Sequence, residues 1–259
     1  MIKFQVKCWR AWLPPALRPD PEASKVGALL PGDAPDVSFL PLMQRRRLSP
    51  MARAAVAAAW PCLVKEVEIP VICCSLHGET RHCFGILSAL AEGDEVSPSQ
   101  FALSVHSAVG GLLTQLIGSR APCLVIAPGS EGYAAALLDA AGFLLFQEGG
   151  GGGILSPPSW ITEMSASQEV LVLWHEQPLP AVYHPYAPDP PGVMALAVRL
   201  GAWRGQGTAL TVDRVPGKGT DHSAGKNPLA RMIEGFSAGV DRWISTAEGA
   251  RWRWELEHV

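Results

Sequence analysis

The stretch CLVIAPGSEGYAAALLDA, Cys123 to Ala140, decides the fold. A short apolar run leads through Pro-Gly-Ser-Glu-Gly into an Ala/Leu-rich segment of helical composition. A strand that passes through a tight turn straight into a helix is the repeating unit of an α/β layered domain. The same layout puts Ser130 at the tip of a strand-to-helix turn, where enzymes present a nucleophile. Whether Ser130 is a working nucleophile or the place of a lost one is the functional question this stretch raises.

Working outward, strands and helices alternate. Ile2–Trp9 has the period of two of a strand. Residues 14–40 hold six prolines and read as an irregular excursion. Residues 45–60 read as a helix, with Ser49 as N-cap and Pro50 in the first helical position. IPVICCSL (69–76) is a buried strand by its β-branched run. Residues 80–92 carry helical spacing, with Phe84, Leu87 and Leu90 on one side, and Ser97-Pro98 closes that unit. Residues 103–117 read as one apolar helix whose small central residues, AVGG, let another backbone come close. Residues 168–183 read as a strand, a turn at Gln177-Pro178 and a second strand. Residues 193–203 read as a strand or short helix, and 204–226 as a polar Gly-rich connection. An amphipathic helix capped by Asn227 spans 227–244, and WRWELEHV is a candidate last strand. No internal repeat is visible.

Composition narrows the function classes. The chain has 259 residues, 48% of them apolar and 17% charged, with a net charge of −3. That charge gives no electrostatic case for a nucleic-acid partner. The apolar excess fits a subunit that buries a face against a partner, a deep ligand tunnel, or an Ala-rich core. Arg45-Arg46-Arg47 reads as a solvated helix start or an interface. The six cysteines show no CxxC pair and read as reduced core thiols of a cytosolic protein. No signal peptide and no membrane span are expected. The pentaglycine 149–153 lacks the Lys and Ser/Thr of a phosphate loop and reads as a flexible loop.

The setting of Ser130 partly matches the hydrolase elbow G-x-S-x-G. The residues here are Pro128-Gly129-Ser130-Glu131-Gly132, so the first glycine is proline. His175, His184, His222 and His258 are the candidate histidines downstream, and Asp189, Asp213 and Asp221 the candidate acids; none has a diagnostic setting. A serine esterase, or a stand-alone acyl or acyl-carrier-protein binding protein, remains the alternative.

A wider window points elsewhere. Residues 97–140 follow without a gap the ketosynthase pattern of a Ser-Pro start, a small-residue helix, a turn, a strand and the nucleophile segment. Ser97-Pro98, Gly111, Gly118 and Pro122 match, and Ala121 replaces a glycine. Arg46-Arg47-Leu48-Ser49 with Arg53, then Phe101, Leu103, Ser104, Val105, His106, Ala108 and Gly111, and the unit LVLWHEQPLPAVY complete the pattern, with Ser107 in place of a usual asparagine. The chain thereby resembles the β-ketoacyl synthase-like chain length factors of aryl polyene and related pathways, over most of 45–200. Residues 1–44 and 204–259 match less clearly.

The resemblance implies a single α/β domain over 1–259 with a truncated thiolase-like layered fold, a mixed sheet packed between helices. It places the family's nucleophilic cysteine on Ser130, flanked by Gly129, Glu131 and Gly132. Neither histidine motif of the condensing enzymes, H-G-T or N-x-F-G-F-G-G, follows residue 200. A serine without a paired base is a poor nucleophile, so Ser130 marks a lost nucleophile and the chain is not expected to be catalytic alone. The implied partners are a ketosynthase, in a heterodimer, and an acyl carrier protein bearing the growing chain. No metal or cofactor is implied. The implied acyl tunnel and interface set is Phe101, Leu103, Ser104, Val105, His106, Ala108, Val109 and Gly111, with Val105 at the position that gates the acyl pocket.

Overall fold

The computed structural model describes residues 1–19, 28–64, 67–129, 131–147, 168–187, 190–216, 227–238, 242–247 and 250–258. In chain order the elements are β1 (Ile2–Trp12), α1 (Leu42–Arg46), α2 (Pro50–Ala59), β2 (Val71–Cys74), α3 (Thr80–Glu92), α4 (Pro98–Ser104), α5 (Ala108–Ile117) and β3 (Cys123–Ile126). They continue with α6 (Ala135–Gln147), β4 (Glu169–Glu176), β5 (Met194–Ala202), β6 (Thr208–Val215), α7 (Pro228–Ala238), β7 (Arg242–Ala247) and β8 (Ala250–His258). One eight-stranded sheet has the order β3-β2-β4-β5-β1-β6-β8-β7. β3, β2 and β4 run parallel, and every other pairing is antiparallel.

Period-two alternation splits the core between the faces of the sheet. Ile72, Cys74, Val172, Trp174, Leu196 and Val198 pack with α6, α7 and the C-terminal tryptophans. Val71, Cys73, Leu171, Leu173, Ala195 and Ala197 pack under α2 and α5. The second face is built of small residues on both sides. Eight of the ten α2 residues are buried, six of them alanines, and they lie on Ala195 and Ala197 of β5. Ser49 caps α2 as the sequence implies, accepting from the Ala52 N–H at 2.9 Å. Such a cap contributes about 1 kcal/mol.

β1 crosses the sheet with a phase slip. Val6 pairs with Leu200 and Cys8 with Arg199, so Lys7 is an extra residue, a β-bulge. Strict alternation from Ile2 would put Cys8 beside Phe4 and Val6. The bulge turns Cys8 to the α2 face instead, and Trp9 takes the place among the tryptophan core. Gly201 makes room for it: a Cβ there would sit 3.1 Å from Lys7 Cε.

The structure corrects several expectations. The apolar run 103–117 is two helices, α4 and α5, because Val105 turns extended (φ −75°, ψ 150°) and α5 restarts when the Ala108 N–H reaches the Val105 carbonyl at 3.0 Å. α5 buries Val109, Leu112 and Leu113, whereas α4 buries none of its residues, and one straight helix cannot do both. Ser97-Pro98 opens α4 rather than closing α3. The unit after Gln177-Pro178 is a 3₁₀ turn at 181–183, not a strand: Pro178 and Pro180 lack donors, and β2 and β5 already occupy both sides of β4. Residues 193–203 are the strand β5, and the polar connection contains β6. The amphipathic helix ends at Ala238 and β7 follows; its Asn227 cap holds, with the Leu229 N–H at 2.9 Å. The pentaglycine lies outside the described residues. Of the six thiols read as core residues, Cys62, Cys73 and Cys74 are buried, Cys8 is half-buried, and Cys83 and Cys123 are exposed. Among the described residues no helix is long and apolar enough to cross a membrane.

Candidate functional site

The parallel strands β2, β3 and β4 end together. Ser75 to Gly78 leave β2, Ala127 to Gly129 leave β3, and His175 to Gln177 finish β4. Buried polar side chains are costly unless paired, and two of the three residues 175–177 at the end of β4 have paired side chains.

Glu176 is fully buried on the α6 face. Its carboxylate accepts the Leu76 N–H at 2.5 Å, the Tyr133 hydroxyl at 2.9 Å and the Ser75 hydroxyl at 3.3 Å. Burial pushes its carboxyl up to about 7, against the pull of those donors. Gln177, on the α2 face, donates from Nε2 to the Glu79 carboxylate at 3.2 Å and to the Gly78 carbonyl at 3.3 Å. Glu79 also accepts the hydroxyl of Ser49, the α2 cap, and faces His82 Nδ1 at 3.0 Å. The α2 N-terminus, the α3 start and the β4 tip thus share one buried carboxylate.

His175 precedes these two residues, Glu176 and Gln177, and neither nitrogen of its buried ring makes a hydrogen bond among the described residues. Burial drives its imidazole down to about 3, with His106 adding to the effect, so it is neutral in any ordinary buffer. His106 faces the Ile126 carbonyl at 3.4 Å and packs on Gly78, where a Cβ would lie 2.5 Å from Nδ1. His82, His106 and His175 are therefore paired with a carboxylate, a carbonyl and nothing. Among the described residues no hydroxyl or thiol is hydrogen-bonded to any of these three rings, the coupling that nucleophilic catalysis uses.

Ser130 lies outside the described residues, and its neighbours are tied down. The Gly132 N–H reaches the Gly129 carbonyl at 3.0 Å. Gly132 has φ +60°, and a Cβ there would meet Ala247 at 3.0 Å. Glu131 accepts Arg214 at 3.1 Å and the Trp252 indole N–H at 3.2 Å, from β6 and β8. Tyr133 holds Glu176 by its hydroxyl, and its carbonyl accepts the Trp174 indole N–H at 3.0 Å. The residues after the slot are moored to four strands. Of the hydrolase candidates, His222, Asp189 and Asp221 lie outside the described residues, and nothing is described of the His258 side chain. Asp213 is engaged by Arg253 and the N-terminal ammonium, and His184 lies 3.2 Å from the Leu179 carbonyl.

The candidate tunnel residues divide. Phe101 is 61% exposed on α4, Val105 39% exposed at the break, and Gly111 is exposed with open space where a Cβ would stand. Leu103, Ser104 and His106 are half-buried, while Ala108 and Val109 are buried against the chain's own core. The tightly packed small residue is Gly110, and what a Cβ there would meet is not another backbone but this chain's own side chains of Cys73, Cys123 and Val125 at 3.0–3.3 Å. Sequence reasoning passed over Glu79, Tyr133, Glu176 and Gln177. The available signal was His-Glu-Gln directly after the apolar run VLVLW.

A mixed sheet packed between helix layers is the architecture of the thiolase-like class. The model described as "Beta-ketoacyl synthase, N-terminal domain" matches residues 12–150 and 159–255, and the chain belongs to that family. Among solved structures, "Ketosynthase (ApeO) in Complex with its Chain Length Factor (ApeC) from Xenorhabdus doucetiae" is similar at 20% identity and TM-score 0.75, over 98% of this chain and 100% of that one. "The ishigamide ketosynthase/chain length factor" is similar at 11% identity and TM-score 0.55, over 83% of this chain and 68% of that one. No curated protein matches the sequence.

Proposed function

We propose that this chain is a chain length factor: a subunit without condensing chemistry of its own that pairs with a β-ketoacyl synthase and shapes the acyl tunnel in polyene-type fatty acid or polyketide synthesis. The observation that carries the reading is an uncovered apolar face. β3 is an edge strand with Cys123 and Leu124 exposed. Phe101, Val105, Leu87 and Leu90 of the packed α3–α4 region are exposed as well. Helices that bury nothing in their own chain call for a partner. The two similar complexes, each of a ketosynthase with a chain length factor, support that choice of partner. In this reading the partner supplies the thiol and the histidines. An acyl carrier protein delivers the chain, and Val105 with its neighbours Phe101 and Gly111 closes the tunnel by steric bulk. Each added carbon pair must bury against the wall, and a larger side chain there stops growth earlier.

The test is coexpression with whichever ketosynthase is encoded nearest to it. A one-to-one complex on size-exclusion chromatography is expected. Within it, Val105→Phe shortens the product, read by mass spectrometry; an unchanged product in an assembled complex removes Val105 from the tunnel. Ser130→Ala leaves product formation within about twofold, whereas a loss of 10²-fold or more in a folded complex would make Ser130 a working nucleophile.

A further inference from the structure

The bulge at Lys7 brings two thiols together. Cys8, on the α2 face of β1, has its Sγ 2.9 Å from Sγ of Cys62, in the turn that ends α2. A disulfide bond is about 2.05 Å long, so closing it takes a movement of less than 1 Å. We propose that Cys8 and Cys62 form a reversible thiol–disulfide site, with Cys8 as the thiol that meets a hydroperoxide and Cys62 as the thiol that resolves it.

The roles follow from the surroundings. Cys8 is half-buried and reachable, and Cys62 is fully buried. Arg10 Nη1 lies 3.9 Å from Cys8 Sγ, and Arg199 is its partner across the β1–β5 pairing. The hydrogen bond from Cys62, then the charges of Arg10 and Arg199, pull the Cys8 thiol down to about 6 against its burial. Cys62, beside that thiolate and away from water, is pushed up and keeps its proton. A low-pKa, accessible thiol with a protonated thiol in contact is what a two-step oxidation needs.

In the first step the Cys8 thiolate attacks the outer oxygen of the hydroperoxide. An S–O bond forms, the O–O bond breaks, and the departing alkoxide or hydroxide takes a proton from water. In the second, the Cys62 sulfur attacks the Cys8 sulfenic acid. The S–S bond forms, the S–O bond breaks, and the Cys62 proton leaves with the hydroxyl as water. Two thiols give two electrons to one peroxide, and a dithiol reductant restores both. The bond closes the chain between residues 8 and 62, which contains the proline-rich excursion and α1, and pins β1 to the end of α2.

The experiment treats the full chain, unfolded only after quenching, with equimolar hydrogen peroxide at pH 7. Remaining thiols are alkylated in denaturant and the peptides mapped. The expected product is a chain lighter by two hydrogens, with the peptides of Cys8 and Cys62 joined and recoverable by dithiothreitol. Cys8 is expected to react roughly tenfold faster than the exposed Cys83, and the melting temperature to rise by roughly 5–10 °C. Cys62→Ser leaves Cys8 to gain oxygen instead of a bridge, and Cys8→Ser leaves Cys62 unoxidised. Cys62→Ala repeats the first variant without a new hydroxyl. The proposal is overturned if Cys8 and Cys62 both remain free while Cys83 or Cys123 oxidises, or if the bridge joins any other pair.

Discussion

The sheet has two edges, and they are finished differently. At β7 the outermost strand is crossed by charge: Arg242 bonds Glu255 of β8, and inside it Arg253 bonds Asp213 at 2.7 Å and Lys3 bonds Glu257 at 2.8 Å. Charged edges of this kind resist pairing with another chain. At β3 the edge is four residues long, its sequence is Cys-Leu-Val-Ile, and no charged residue stands on the strand. One edge is built to stay alone and the other is not. The contrast favours β3 over β7 as the edge where the partner proposed above would dock.

The largest effect expected from breaking this contrast is at Leu124. A carboxylate on the bare strand, Leu124→Asp, is expected to weaken the ketosynthase complex at least 100-fold by titration calorimetry, since an unpaired charge in an interface costs several kcal/mol. An unchanged affinity in a folded variant would move the partner elsewhere. Behind the β3 edge lies the buried Glu176. Its carboxyl titrates near 4.5 when free and near 7 in the fold. Between those values the unfolded chain has released a proton that the folded chain keeps. The associated stability is therefore complete below about pH 4.5 and lost as pH rises through 7. In urea titrations across that window the wild type is expected to lose about 3 kcal/mol that Glu176→Gln does not. Parallel curves would mean the carboxyl ionises freely in the fold. The smallest effect belongs to the other edge. Arg242→Ala removes an exposed ion pair, and an unchanged urea midpoint, with complex formation untouched, is expected.

The sequence made legible what local chemistry decides. Ser49-Pro50 announced α2 and Asn227 announced α7, because a cap is read from neighbouring residues. The strand-turn-helix at 123–140 was equally plain. What escaped was decided at a distance. The break at Val105 follows from the different burial of α4 and α5, which no periodicity within 98–117 records. β6 hid in a Gly-rich stretch because its partners, β1 and β8, come from the two ends of the chain. The Leu87–Leu90 stripe was read rightly as one side of α3, yet that side is exposed. Spacing says that residues share a face and not whether this chain covers it. For the site, the slot at residue 130 and the segment around Val105 came from pattern, whereas Glu176, Tyr133 and Glu79 emerged only when the strand tips were brought together.

The bare β3 edge also bears on supply. A strand that offers unpaired amides and apolar side chains is a template for any passing strand, its own copies included, until it is covered. If the pairing proposed above holds, the chain is tied to its partner by dosage. Copies made in excess of the partner would be drained by self-association or by proteolysis, and the amount that endures would be set by the partner's abundance rather than by its own rate of synthesis.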